Sequence, residues 1–102
     1  MTTFDDREAA FESKFAHDAE AQFRLEARAD KKIALWAADI MGKSAADALA
    51  YVAEVIRADM QESGAEDVIA KVAADLGSRS TAAAIREKYA AFMVESQQEM
   101  MQ

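Results

Sequence analysis

The sequence predicts an all-α fold, a four-helix bundle with a long, projecting N-terminal helix. Three observations carry this expectation. The 102 residues include no proline and only three glycines, and Ala, Glu, Lys and Arg are abundant. Few breakers and many helix formers favour long helices with short connections. No run of alternating β-branched residues is bounded by turn chemistry, which argues against a sheet. Finally, apolar residues recur at three- and four-residue spacing in four stretches separated by three breaks.

The first stretch runs from Phe4 to Met41 without interruption. At about 1.5 Å per residue such a helix would be about 57 Å long, far beyond its partners. Gly42-Lys43-Ser44 ends it, and Ser44 can cap the second helix with Asp47 three residues on. The second helix carries Leu49, Val52, Val55, Ile56 and Met60 as its expected core face. Ser63-Gly64 closes it. Glu66 and Asp67 then fall in the first turn of a third helix, where carboxylates suit the positive end of the dipole. That helix offers Val68, Ile69, Val72 and Leu76 before Leu76-Gly77-Ser78 closes it. Ser78 or Ser80 is the expected opening of the fourth, which offers Ile85, Tyr89, Phe92 and Met93. The last part of the first helix adds Ile33, Trp36, Ala37 and Ile40 to the same core. None of these stripes can be buried alone, so the helices must pack on one another, and short connections make neighbours antiparallel. The resulting core is small and its stability modest.

The first helix changes character along its length. At about 100° per residue, Phe4, Phe11 and Phe15 lie within about 40° of one another, and Ile33, Trp36 and Ile40 return to nearly that direction. Between them the same direction is held by Asp18, Gln22 and Glu26. A single face packed on one core would not carry three polar residues in its middle. The helix therefore reads as two modules, an arm over residues 1–19 and a bundle over residues 20–102. A phenylalanine stripe at i, i+7, i+11 fits insertion into a groove of another protein. Arg7 and Lys14 form one charged flank, and Asp5, Glu8 and Glu12 the other, a rim that can set orientation. An isolated segment of this length is marginally helical in water and would fold on binding. The packed alternative, with the stripe folded back onto the bundle as a satellite core, is the competing reading.

Charge and composition narrow the function further. The net charge of −7, with 19 acids against 12 bases, opposes phosphate-directed binding, so no nucleic acid is expected as a partner. Cysteine is absent and histidine occurs once, which leaves no thiolate or histidine-rich metal site. No stretch of about 18 apolar residues could span a membrane, and the acidic N-terminus is not a secretory signal. A cytoplasmic monomer without direct membrane insertion is expected. The mixed, slightly acidic polar face of the arm also disfavours a membrane-surface helix. Gly42-Lys43-Ser44 resembles the end of a phosphate-binding loop, but Ala37 stands where the first glycine would be, so it reads as a helix break. His17 lies almost opposite the phenylalanine stripe and reads as solvated, with a pH-sensing contact in a complex as the lesser alternative. Asp18 and Glu20 lack further ligands for a metal, and no Ser–His–Asp set is present. No enzyme and no cofactor is expected.

The run Phe4-Asp5-Asp6-Arg7-Glu8-Ala9-Ala10-Phe11-Glu12-Ser13-Lys14-Phe15-Ala16-His17-Asp18 resembles the N-terminus of the zeta subunit, the inhibitor of the F-type ATP synthase in alphaproteobacteria. The likeness continues through Phe23, Ala27-Arg28, Lys31 and Leu35-Trp36-Ala37-Ala38 to Gly42, and more loosely over the remainder. Ala34 stands where the family pattern suggests a glycine. The resemblance implies a four-helix protein whose N-terminal segment, Thr2 to about Ala19, enters a catalytic interface between the α and β subunits of the synthase head, with γ as a further contact. There it would block the hydrolytic direction of the rotary cycle. The expected binding residues are Phe4, Phe11 and Phe15 as anchors, Arg7, Glu8, Glu12 and Lys14 as orienting charges, and Asp18 at the end of the segment. A module that binds a small ligand such as a nucleotide or metabolite, with the arm as a mere tail, is the alternative from a different class.

Overall fold

A computed structural model describes the backbone of residues 3–61 and 65–101, and the side chains of residues 20–60 and 65–101. Four α-helices follow one another: α1 (Thr3–Ile40), α2 (Ala45–Gln61), α3 (Ala65–Leu76) and α4 (Ala82–Met100). A single 3-10 turn, Gly77–Arg79, links the last two. The fold is all-α, as expected.

Backbone chemistry explains the punctuation. Gly42 adopts the left-handed conformation, φ 72°. Its N–H donates to the Asp39 carbonyl at 3.0 Å, and the Lys43 N–H reaches back to the Ala38 carbonyl at 3.0 Å. This paired closure satisfies carbonyls that the end of α1 would leave open, and glycine adopts it without a Cβ penalty. The glycine therefore stops a helix and cradles no phosphate. Ser44 caps α2, its Oγ accepting the Asp47 N–H at 3.2 Å. Ser63-Gly64, the expected end of α2, lies outside the described residues. At the start of α4 the expectation needs correction. The cap is Thr81, whose Oγ1 accepts the Ala84 N–H at 3.1 Å. Ser78 is consumed by the 3-10 turn that Gly77 initiates, and Ser80 stands one residue before the side chain that makes the cap.

The core is centred on the C-terminal half of α1. Ala29, Ile33, Ala34, Ala37 and Ala38 are buried there, against Tyr51, Val52 and Val55 of α2, Val68, Ile69, Val72 and Leu76 of α3, and Ile85 and Tyr89 of α4. Four of the five apolar residues that α1 supplies are alanines, which lets neighbouring helices approach closely. Ala34, at the position of the family's expected glycine, is fully buried within this face. Trp36, Ile56, Phe92 and Met93 pack partly against the same core.

Three expected core residues are exposed instead. Ile40 is 38% exposed, Leu49 62% and Met60 70%. The cause is rotational. On α1 the buried residues centre about 70° round the helix from the Phe4 direction, which leaves Trp36 and Ile40 on the flank. On α2 the inward direction is set by Ala48, Tyr51 and Val55, with Leu49 and Met60 about 100° or more away. Tyr51 takes the inward place, and its hydroxyl donates to Asp75 of α3 at 2.8 Å. Burial, followed by that bond to a carboxylate, pushes the Tyr51 phenol up. A bidentate pair on the surface, Arg86 Nε to Glu66 Oε1 at 3.0 Å and Nη2 to Oε2 at 2.9 Å, ties α4 to α3.

These faces make opposite demands on two residues. Ala37→Leu should destabilise the bundle by about 1–3 kcal/mol through overpacking. Leu49→Ala, despite removing more apolar volume than any substitution of Ala37 could, should cost less than about 0.5 kcal/mol. Urea denaturation followed by helical circular dichroism measures both.

Candidate partner-binding site

The residues expected to meet a partner, Phe4, Arg7, Glu8, Phe11, Glu12, Lys14, Phe15 and Asp18, all belong to the N-terminal part of α1. Their side chains, with that of His17, lie outside the described residues. What the structure does describe is how α1 leaves the bundle. From Glu20 to Arg28 no side chain is fully buried, and burial begins at Ala29. Phe23 is 61% exposed. Gln22, one of the three polar residues that interrupt the apolar direction, is exposed and donates to Glu26 at 3.1 Å. Glu26 itself is half-buried.

A clamp of opposite charges fastens this exit to the end of α4. Lys32 Nζ reaches Glu95 and Glu99, each at 2.9 Å, and Arg28 reaches Glu99 at 3.2 Å. Its ionisation follows from those contacts. The hydrogen bond from Lys32, and then the charges of Lys32 and Arg28, hold Glu99 below the ordinary carboxylate range. The bonds it donates to Glu99 and then to Glu95 raise the Lys32 ammonium. A carboxylate depressed by folding stabilises the fold above its unfolded pKa, and that contribution is lost as acid titrates it. A raised ammonium loses its contribution only in strong alkali. The clamp therefore holds through the whole neutral range.

Beside the clamp, α1 and the last turn of α4 enclose an open groove of about 510 Å³. Ala21 and Leu25 form one wall, and Gln97, Met100 and Met101 the other. Gln22 and Arg24 complete the lining, which mixes polar and apolar side chains about evenly. Among the described residues no group of acidic or histidine side chains could hold a metal ion. No described helix is long and apolar enough to cross a membrane.

One residue escaped the sequence reading. Asp30 is 1% exposed, within the core face of α1, and its Oδ1 accepts the Tyr89 hydroxyl at 2.9 Å. The signal was present: Asp30 lies one turn before Ile33 and Ala34, on the buried side.

Fold and site define a class: a small all-α bundle of four helices whose first helix carries an incompletely buried stretch, Glu20 to Arg28, ahead of the shared core. The chain belongs to the ATPase inhibitor subunit zeta family, which it matches over residues 1–99. It is therefore a member of a family of inhibitory subunits of the ATP synthase. It is also similar to a protein of known solution NMR structure, at 44% identity over 78% of this chain and 94% of that one, with a TM-score of 0.71. No curated protein matches the chain.

The clamp can be opened selectively. Glu99→Gln should raise amide exchange a few-fold in residues 25–32 and leave α3 unchanged, and salt near 1 M should erase the difference because the pair is partly exposed. Exchange followed by NMR at two salt concentrations measures this.

Proposed function

We propose that this protein restrains ATP hydrolysis by inserting residues 1–19 of α1 into a catalytic interface between α and β subunits of the F-type ATP synthase head. Membership of the inhibitory family supports the inhibitor role. The observation that supports the division of labour is the stretch just after the arm: from Glu20 to Arg28 no side chain is fully buried, Phe23 is 61% exposed, and the buried core of the described residues begins at Ala29. A stretch of helix with that much open surface suits the root of an arm that gives its faces to a partner.

In this reading Phe4, Phe11 and Phe15 are the desolvated anchors. Their common direction along the helix lets them enter one groove, where burial of aromatic side chains dominates binding energy. Arg7 and Lys14 on one flank, and Glu8 and Glu12 on the other, select a single orientation because the reversed helix would bring like charges together. Asp18 closes the inserted segment where the helix becomes solvated. Residues 20–102 act as a body too large to follow the arm, so the arm cannot be drawn through. Conformational cycling at that interface requires the groove to open and close, and a wedged helix opposes it. The γ subunit, which passes through the head, is a further contact. The chain acts at the head of the enzyme, on its cytoplasmic side.

Hydrolysis by the purified head tests the reading. The intact protein should slow it, and removal of residues 1–19 should abolish the effect while the helical signal of residues 20–102 persists. Phe11→Ala should weaken inhibition by roughly 30-fold, the equivalent of about 2 kcal/mol for a central anchor. Undiminished hydrolysis with the intact chain, or full inhibition by the shortened one, would refute the proposal.

A further inference from the structure

Asp30 is the only acidic residue buried among the described residues. The groups that face it come from three helices. Tyr89 of α4 donates to it at 2.9 Å. Asp59 of α2 acts on it as a neighbouring carboxylate, and Glu26 lies one turn back on α1. None of these is a cation. The nearest bases along α1 are engaged or turned away: Arg28 and Lys32 bind Glu95 and Glu99, and Lys31 is exposed. An unpaired carboxylate in such a place is costly, whereas a neutral carboxyl is well served. A neutral Asp30 still accepts from Tyr89 and has a proton to offer the neighbouring carboxylate of Asp59, which would link α4 through α1 to α2.

The position matters as much as the chemistry. Ala29 and Asp30 form the first buried turn of α1 among the described residues, directly after the partly exposed stretch from Glu20 to Arg28. We propose that Asp30, Asp59 and Tyr89 form a proton-operated latch that fastens this turn to α2 and α4, so that pH sets how far α1 stays docked. Loss of the proton places two carboxylates against each other, with Glu26 beside them, and favours release of the turn. The latch requires nothing of the synthase, so its test is made on the free, full-length chain.

Burial, then the hydrogen bond with Asp59, pushes the Asp30 carboxyl up to about 8, and the Tyr89 bond opposes the rise only in part. A released turn returns Asp30 to water and to its ordinary value of 3.8. Because the folded value is the higher one, the closed state keeps a proton that the open state loses between these limits. The latch is at full strength below about pH 4, weakens steadily through neutrality, and levels off above about pH 8. One proton linked to opening changes the opening equilibrium by about ten-fold per pH unit.

Two NMR measurements decide the matter. The carboxyl carbon of Asp30 should titrate near pH 8. Amide protection in residues 29–34, corrected for intrinsic exchange, should fall by close to ten-fold per unit between pH 5.5 and 7.5, while α3 shows a flatter dependence. Asp30→Asn preserves the shape, accepts from Tyr89 and donates to Asp59, and should remove the slope although His17 is still present. Asp59→Asn should move the Asp30 midpoint downward. If Asp30→Asn does not fold, the Asp30 titration in the unaltered chain and in Asp59→Asn decides alone. Titration of Asp30 in the ordinary carboxylate range, an equal slope in Asp30→Asn, or the same slope in all four helices would overturn the latch.

Discussion

Close approach to the alanine face of α1 governs the arrangement of everything else. Ala29, Ala34, Ala37 and Ala38 let α2 and α4 come near enough to share one layer of side chains with α3. In a core this small no single large residue can be lost cheaply, and none can be added. The same closeness shuts Asp30 away from solvent, since a side chain on a tightly covered face has no route out. The position of the carboxyl and the fit of the bundle are therefore one fact seen twice. The edge of the core follows too: ahead of the alanine face, from Glu20 to Arg28, α1 meets α4 only through partly buried and charged side chains.

Much of this architecture was legible in the residues. Gly42 and Gly77, both left-handed, stand where helices stop, and the lack of proline leaves little else to break the chain. The faces were read less well. Leu49, Met60 and Ile40 have the right spacing for a core but the wrong azimuth, because periodicity counts apolar residues and cannot see that small ones, Ala48 and the alanines of α1, set the inward direction. Thr81 displaced Ser78 and Ser80 as a cap because a 3-10 turn shifts the register by a few residues, which no local propensity announces. The arm was legible only as a pattern. Phe4, Phe11 and Phe15 have a common direction along the helix, but a direction alone names no groove. Asp30 was missed for the opposite reason: a polar residue in a stripe looks like an interruption until a tyrosine from 59 residues away meets it.

Two kinds of electrostatics meet at the exit of α1, and they respond to different conditions. The clamp of Arg28 and Lys32 on Glu95 and Glu99 lies at the surface, where salt screens it and where both partners keep their charges through the neutral range. The Asp30 cluster is dry, indifferent to salt by comparison, and sensitive to protons. An attachment held by both can be weakened by either route without losing the other. Neither source of attachment duplicates the other.

The groove formed by Ala21, Leu25, Met100 and Met101 brings the end of α4 beside the root of the arm. Chain ends are usually treated as neutral ground for tethers and reporter groups, on the assumption that they lie far from the working surface. Under the proposed insertion that assumption fails. A bulky fusion placed after α4 would stand beside Ala21 and Leu25 and crowd a partner that takes the arm, whereas a small fluorophore beside Met101 would sit close enough to register its arrival. The far end of the bundle, around Gly42 and Gly77, offers the quieter anchorage.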